Sequence, residues 1–384
     1  KTAEAVTQTQ VLEADYLEGA YGDRYTKLSG PAADTLVFNG WPQLSPEDIF
    51  DPYTAMYGTK VEPTYISGAE LLEKVKFPGH GVHSSFLAGT FQWAGVLRDD
   101  NYSWGRPLDL DLVPNYKEIH PYMRKNLVEA FHTDDDGNIY ALPSVWGEDT
   151  AVYDYNQVEI EEKDATLERI LFSDEFGTKN VSMPGDAFGK LQSVTCAGIV
   201  IGAKGRGTDP RIPGPFDMTD EELKEAEELL QNQKDTLIRR YWQSLGDLND
   251  MIVAGEVSRG WGWRPVVNSL KQAGVDAKWA SKPGNAVGWI AGPNVFTETP
   301  DASVESAHAL VNWIFGAHWG QEQARISYYK VAQTSMMKKA LSSEKYAEVY
   351  PPVDIEDYMS NLVWQVDWTR AEDYTEAMDR VLTS

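Results

Sequence analysis

The sequence predicts an α/β protein built as two lobes. Three observations carry that expectation. The chain has 384 residues, enough for two cores of ordinary domain size. Short apolar runs alternate with helical patterns, as in a sheet with helices on its faces. No repeat or low-complexity linker interrupts the alternation, so two lobes joined by short crossovers are expected rather than two separate beads.

Residues 1–33 read as a polar, partly helical extension ending at the breaker "SGPAAD". "DTLVFNGW" is a strand closed by Gly40. "SPEDIFDPYTAMYG" is a helix with Ser45 as N-cap, Pro46 at its first position and Gly58 as its stop. "TKVEPTYI" and "GAELLEKVK" give a second strand and helix, and "GNIYALPSVWG" a strand entering a loop. "TDEELKEAEELLQNQKD" is a charged helix capped by Thr219. "LNDMIVAGE" is a helix, "VSRGWGW" the strand after it, "GWIAGPNVF" a further strand and "SVESAHALVNWIFG" a helix. The tail from "PVDIEDYM" onward is mostly helical.

Composition narrows the function. With 42% hydrophobic and 11% aromatic residues the chain is a folded protein. The net charge of −25 disfavours nucleic acid and anionic lipid as partners. Cys196, the single cysteine, sits in the apolar run "VTCAGIVIGA" and reads as a small buried hydrophobe. No stretch is apolar and long enough to span a membrane. The chain opens at "KTAEAVTQ" with no signal peptide visible, which fits a targeting segment already removed.

Signatures of catalysis are missing. "IVIGAKGRG" lacks the Ser or Thr of a P-loop, and no G-x-S-x-G, H-E-x-x-H or C-x-x-C occurs. His80 and His83 in "GHGVHSS" read as loop residues rather than metal ligands, and the adjacent Tyr328 and Tyr329 as packing residues rather than a ferric-ion pair. The adjacent carboxylates Glu148 and Asp149 are the only acid–base candidates singled out, in a chain with 59 acidic residues. No catalytic residue, metal ligand or cofactor is therefore expected.

The 13 tryptophans are more informative. Trp93, Trp313 and Trp319 have helical contexts and read as core. Trp41, Trp146, Trp261, Trp263 and Trp289 sit at predicted strand ends, where ligands of open α/β sheets bind. Together they predict a shared aromatic pocket. Strand alternation in "RGWGWRP" puts Arg259, Trp261 and Trp263 on one face and Arg264 on the other, unless Gly262 and Pro265 break the strand.

The order of several segments resembles bacterial extracellular solute-binding proteins of the spermidine/putrescine-binding family. The segments are "LVFNGWPQLSPEDIFDPYTAMYGTKV", "YALPSVWGEDTAVYDYNQV", "LERILFSDEFGTKNVSM", "VAGEVSRGWGWRPVVNSLKQAG" and "VWQVDW", in one order from about residue 34 to 384. The resemblance implies a two-lobed periplasmic-binding-protein fold of type II with ligand in the inter-lobe cleft. Lobe one would hold residues 34–143 and 284–318, lobe two 144–283, and the C-terminal helices of 319–384 would pack across both. It further implies a secreted periplasmic or extracellular monomer, with or without a lipid anchor. Such a protein hands a small molecule to the transmembrane subunits of an ABC permease.

Trp41, Thr90, Phe91, Trp146, Trp263, Trp289 and Gln365 fall on or beside the family's ligand-contacting positions. Trp261, Arg264 and Asp149 complete the candidate set. Two carboxylates that the family places against polyamines are replaced, by Ala291 and by Gly189, with Asp186 near the second. Losing the partner of a buried charge costs roughly 3–5 kcal/mol. The first expectation is therefore a methylated onium zwitterion, such as a betaine or dimethylsulfoniopropionate, held in an aromatic cage with Arg264 on its anionic end. A polyamine is the alternative, with Asp149, Asp186 or Glu148 supplying the charge. A thiamine-like aromatic cation or ferric ion comes third, and a hydrolase using Glu148 or Asp149 is the rival class.

Overall fold

The computed structural model describes residues 21–42, 44–66, 68–75, 77, 79–88, 104–129, 132–350 and 354–384. Its elements follow the predicted alternation. The first five are β1 (Thr35–Asn39), α1 (Asp51–Tyr57), β2 (Lys60–Thr64), α2 (Gly68–Val75) and β3 (Ser84–Ala88). Then come β4 (Val145–Asp154), β5 (Val181–Pro184), α3 (Ala187–Ile201), α4 (Asp220–Thr236), β6 (Ile238–Trp242), α5 (Leu245–Val253) and β7 (Arg259–Trp263). The remainder are α6 (Arg264–Gln272), β8 (Ala277–Trp279), β9 (Val287–Pro293), α7 (Val304–Ile314), α8 (Ala317–Ile326), β10 (Lys330–Val331), α9 (Ile355–Ser360), β11 (Val363–Trp364) and α10 (Ala371–Thr383). Further short helices, among them Leu167–Leu171, Thr334–Ala340 and Ser343–Val349, join them.

The chain forms two compact units. The first comprises Lys1–Trp146 and Ile290–Glu356, the second Gly147–Trp289 and Asp357–Ser384. The chain passes from one to the other within β4, within β9 and within α9.

In the first unit β1 pairs in parallel with both β2 and β3, as β-α-β connections require. The second half of β9 runs antiparallel to β3, and β10 antiparallel to the start of β4. Phe50, Trp313 and Trp319 pack with ring centroids 5.8–6.2 Å apart and anchor this core, as predicted for the two tryptophans. Trp93 lies outside the described residues.

One cap differs from expectation. Ser45 does not cap the helix that follows. A 3-10 turn, Glu47–Phe50, precedes α1, and the Ser45 hydroxyl donates to the Trp41 carbonyl instead (2.9 Å). Gly58 ends α1 as expected, at φ +77°, a conformation that costs glycine little.

The second unit is built on β4. It pairs antiparallel with β7 and with β8, while β7, β5 and β6 continue in parallel. The first half of β9 pairs in parallel with β11. Helices α3, α4 and α10 form the main apolar layer through Val194, Ala197, Leu230, Tyr374 and Met378. Thr219 and Glu222 close a capping box on α4. Asp217 ties this layer to the C-terminal segment: its carboxylate accepts from Arg206 and Thr369 and is held at about 2.

The segment before β1 is sewn onto the first unit. Asn312 donates to the Arg24 carbonyl (2.7 Å), and Ser29 N–H donates to Glu305 (2.7 Å). Asp23 accepts from Ala317 N–H at the start of α8 (2.8 Å) and from Asn115 (2.6 Å). Burial pushes its carboxyl up to about 6, against the pull of those donors. Its favourable contribution to folding is therefore complete below the ordinary carboxylate value of 3.8 and is lost as pH rises through about 6. Asp23→Asn cannot ionise. Between pH 4 and 7, wild type should lose on the order of 2–3 kcal/mol relative to the variant in chemical denaturation.

Candidate functional site

The β4–β7 pairing decides which side chains meet. Asp149 stands opposite Trp263, Ala151 opposite Trp261 and Tyr153 opposite Arg259. Residues directly opposite in an antiparallel pair project to the same face. The alternation read from "RGWGW" therefore holds, with both tryptophans and Arg259 on one side of β7. The other side carries Gly260 and Gly262. A methyl group at Gly260 would lie 2.7 Å from Leu248, and one at Gly262 3.0 Å from it. The glycines let α5 press against the strand while the tryptophans fill the opposite face.

On the tryptophan face the environment grades from sealed to open. Trp261 and Tyr153 are fully enclosed. Arg259 is enclosed too, donating to the Ser173 and Gly177 carbonyls (3.1 and 2.9 Å) with its guanidinium over Phe176. Trp263, at the open end of β7, is half-buried and meets the Trp242 ring edge-on at 5.5 Å. Trp289, on β9, is also half-buried. Its indole lies flat against the backbone of Gly147, where a Cβ would come within 2.5 Å of the ring.

Asp149 stands opposite Trp263 in the β4–β7 pair and beside the Trp289 indole. It is 1% exposed. Gln192 of α3 donates to its Oδ2 (2.5 Å), and the Trp289 indole N–H is directed at the same carboxyl. Burial pushes Asp149 well above the usual carboxylate range, and the charge of Glu148 beside it pushes the same way, while Trp289 and Gln192 pull it back. Gln365 directly follows β11: its backbone N–H donates to the Gly288 carbonyl (2.8 Å), one residue from Trp289, and the residue is buried.

Arg264 does not reach this cluster. As the first residue of α6 it emerges on the other side of β7, and its guanidinium stacks 3.7 Å above the Trp279 ring. Trp279 pairs with Val152, which packs near Gly262 on the glycine face. Glu148, adjacent to Asp149 in β4, also projects to that face. There it is fully buried and bonded to the Tyr358 hydroxyl of α9, whose proton it holds well above the ordinary value after burial has already raised it.

The remaining candidates fall elsewhere. Trp146 opens β4 rather than ending a strand. The strand runs on for ten residues, and Trp146 is sealed in the first unit beneath Lys330 (4.8 Å). Trp41 is half-buried after β1, its carbonyl accepting from Leu44 and Ser45 N–H. Thr90 and Phe91 lie outside the described residues. The two positions that lack family carboxylates are also placed. Ala291 is buried in β9. At Gly189 a Cβ would sit 2.4 Å from Asp186 Oδ1 and 2.5 Å from Pro184, because Asp186 caps α3 by accepting from Gly189 N–H (3.0 Å). A side chain at 189 and this cap exclude one another.

His80 and His83 serve the loop. His80 Nε2 lies 3.3 Å from the Glu298 carboxylate and its other ring nitrogen accepts from Val82 N–H, and His83 accepts from Val37 N–H. Lys345 lies 3.4 Å above the Tyr328 ring. Among the described residues no group of three or more His, Cys, Asp or Glu is arranged to hold a metal ion, and no helix is long and apolar enough to cross a membrane. Cys196 is buried, and burial raises its thiol.

Gln192 is the site residue that sequence reasoning missed. The available signal was a lone amide in the otherwise apolar "KLQSVTCAGIVI".

Comparison with known proteins now adds the relatives. No family model matches the chain. It is 26% identical over 352 residues to the spermidine/putrescine-binding periplasmic protein 1 of Haemophilus influenzae, covering 89% of this chain and 86% of that one. The chain is similar to the spermidine/putrescine-binding proteins over nearly its whole length. Among solved structures, the spermidine/putrescine ABC transporter substrate-binding protein of Streptococcus pneumoniae superposes with a TM-score of 0.72 at 14% identity, over 91% of this chain and 99% of that one. The A. tumefaciens binding protein MotA, in complex with glucopine, gives 0.63 at 15% identity over 90% and 99%. These likenesses establish the fold as that of the substrate-binding proteins of ABC transporters, and those relatives bind and deliver ligands rather than catalyse reactions.

The contact between Gly147 and Trp289 gives a direct check on the geometry. Gly147→Ala should destabilise the protein by about 1–3 kcal/mol through overpacking. In the Trp289→Ala background the same change should cost much less. A double-mutant cycle in urea measures the difference, and additive costs would mean the two residues are not in contact.

Proposed function

We propose that this protein is the substrate-binding component of an ABC transporter that captures a small organic cation bearing N–H groups, a polyamine or similar amine. It works outside the cytoplasmic membrane as a monomer and passes its ligand to permease transmembrane subunits. The observation that carries the reading is Asp149, a buried carboxylate paired across the strands with Trp263 and beside the indole of Trp289, both tryptophans half-buried. An ammonium group needs both a counter-charge and hydrogen-bond acceptors. Asp149 supplies both, in place of the two family carboxylates absent at Ala291 and Gly189. The rings add attraction through their quadrupoles. The similarity to the Haemophilus influenzae spermidine/putrescine-binding protein supports the same class.

The methylated zwitterion read from the sequence relied on Arg264 to hold an anionic end. The stacking of Arg264 on Trp279 removes that support, since the guanidinium stands on the opposite side of β7 from Trp263. The aromatic pair alone remains in favour of an onium group.

Isothermal calorimetry with spermidine, putrescine, glycine betaine and dimethylsulfoniopropionate separates the two. Binding of an amine at micromolar concentration or tighter, with no response to the betaines, is expected. The reverse pattern would restore the zwitterion. Trp263→Ala and Trp289→Ala should each weaken amine binding more than tenfold while the protein stays folded, because a desolvated cation–π contact contributes about 2 kcal/mol.

A further inference from the structure

Asp149 is unusual among the buried carboxylates of this protein in its company. Asp23 accepts from a backbone N–H at the start of α8 and from the side-chain amide of Asn115, and Asp217 is paired with Arg206. Among the described residues no cation stands against Asp149, and the charged group acting on it is Glu148, which repels it from the neighbouring position of β4. The elements packed around it present Trp263 from β7, Trp289 from β9 and Gln192 from α3, and none of these ionises. The other ionisable residues at the start of α3 are engaged elsewhere. Asp186 caps the helix, and Lys190 is bonded to Asp379.

Its hydrogen-bond partner is equally suited to a neutral acid. Gln192 donates through Nε2, while its Oε1 accepts nothing among the described residues. Turned over, the same amide offers Oε1 to a protonated Asp149. An arginine or lysine in that place would fix the carboxylate as an anion; an amide satisfies either form.

We propose that Asp149 exchanges a proton for the cationic group of the ligand: it stands neutral in the free protein and gives its proton to solvent as the ligand's charge arrives. The inference rests on the reading of the site as an amine site. Its consequence is directional. Acid should weaken binding, because the proton and the ligand compete for one carboxylate, and each ligand bound should release up to one proton. Once the pH exceeds the point at which free Asp149 ionises, affinity should level off.

Calorimetry with putrescine between pH 5 and 8 tests this, since alkylammonium groups keep their protons throughout that range, titrating near 10.4. Repeating each titration in two buffers of different ionisation enthalpy counts the protons released. In wild type, affinity should rise by up to about tenfold per pH unit over the acidic part of the range, with buffer-dependent heat. Asp149→Asn should remain folded by thermal melting, bind more weakly, and lose both the slope and the buffer dependence. Wild-type binding with equal affinity and buffer-independent heat from pH 5 to 8 would overturn the inference alone. So would a wild-type slope in Asp149→Asn, which would place the titrating group elsewhere. No putrescine or spermidine binding at any pH would overturn the reading of the site, and this inference with it.

Discussion

The antiparallel pairing of β4 with β7 fixes where the chemistry of the second unit lies. Five consecutive residue pairs, from Asp149↔Trp263 to Tyr153↔Arg259, set the register. A slip of one residue would carry every one of these side chains to the opposite face. Two features oppose such a slip. Gly260 and Gly262 must face α5, where any larger residue would collide with Leu248. Trp261 must face the layer that encloses it completely. Packing on both faces therefore holds Asp149 opposite Trp263.

The same register divides adjacent acids by function. Glu148 and Asp149 are consecutive and both fully buried, yet they project to opposite faces of β4. Glu148 has a hydroxyl partner in Tyr358, within the field of Arg264. Among the described residues Asp149 has the Gln192 amide and the Trp289 indole. Burial makes an unpaired charge costly and raises its carboxyl.

Arg264 illustrates how a single step along the chain changes a role. It follows Trp263 directly, but the strand ends there and α6 begins. Its guanidinium is drawn to the face of Trp279, where stacking and partial desolvation hold it. The Arg264 charge is thereby kept on the glycine side of β7, away from Asp149. The absence of a side chain at Gly189 has a comparable local cause, since the Asp186 cap of α3 occupies the space.

Much of this was legible in the chain. Period-two and period-3.6 patterns, with Thr219 and Gly58 as punctuation, determined the α/β class and most elements, because burying one face of a strand or helix leaves a local trace. Alternation alone put Trp261 with Trp263 and Arg264 opposite. Ser45 escaped that logic, since its hydroxyl donates back to the Trp41 carbonyl and a 3-10 turn without a side-chain cap precedes α1. So did Trp146, because Gly147 after it reads as a strand end while β4 runs through it for ten residues. What only the tertiary structure decided was which residues meet across sequence distance: Gln192 with Asp149, Trp289 with Gly147, Tyr358 with Glu148, Arg264 with Trp279. Residues 15 to 210 apart in the chain become neighbours through sheet register and helix packing, and the charge state of a buried carboxylate depends on those neighbours rather than on anything written beside it.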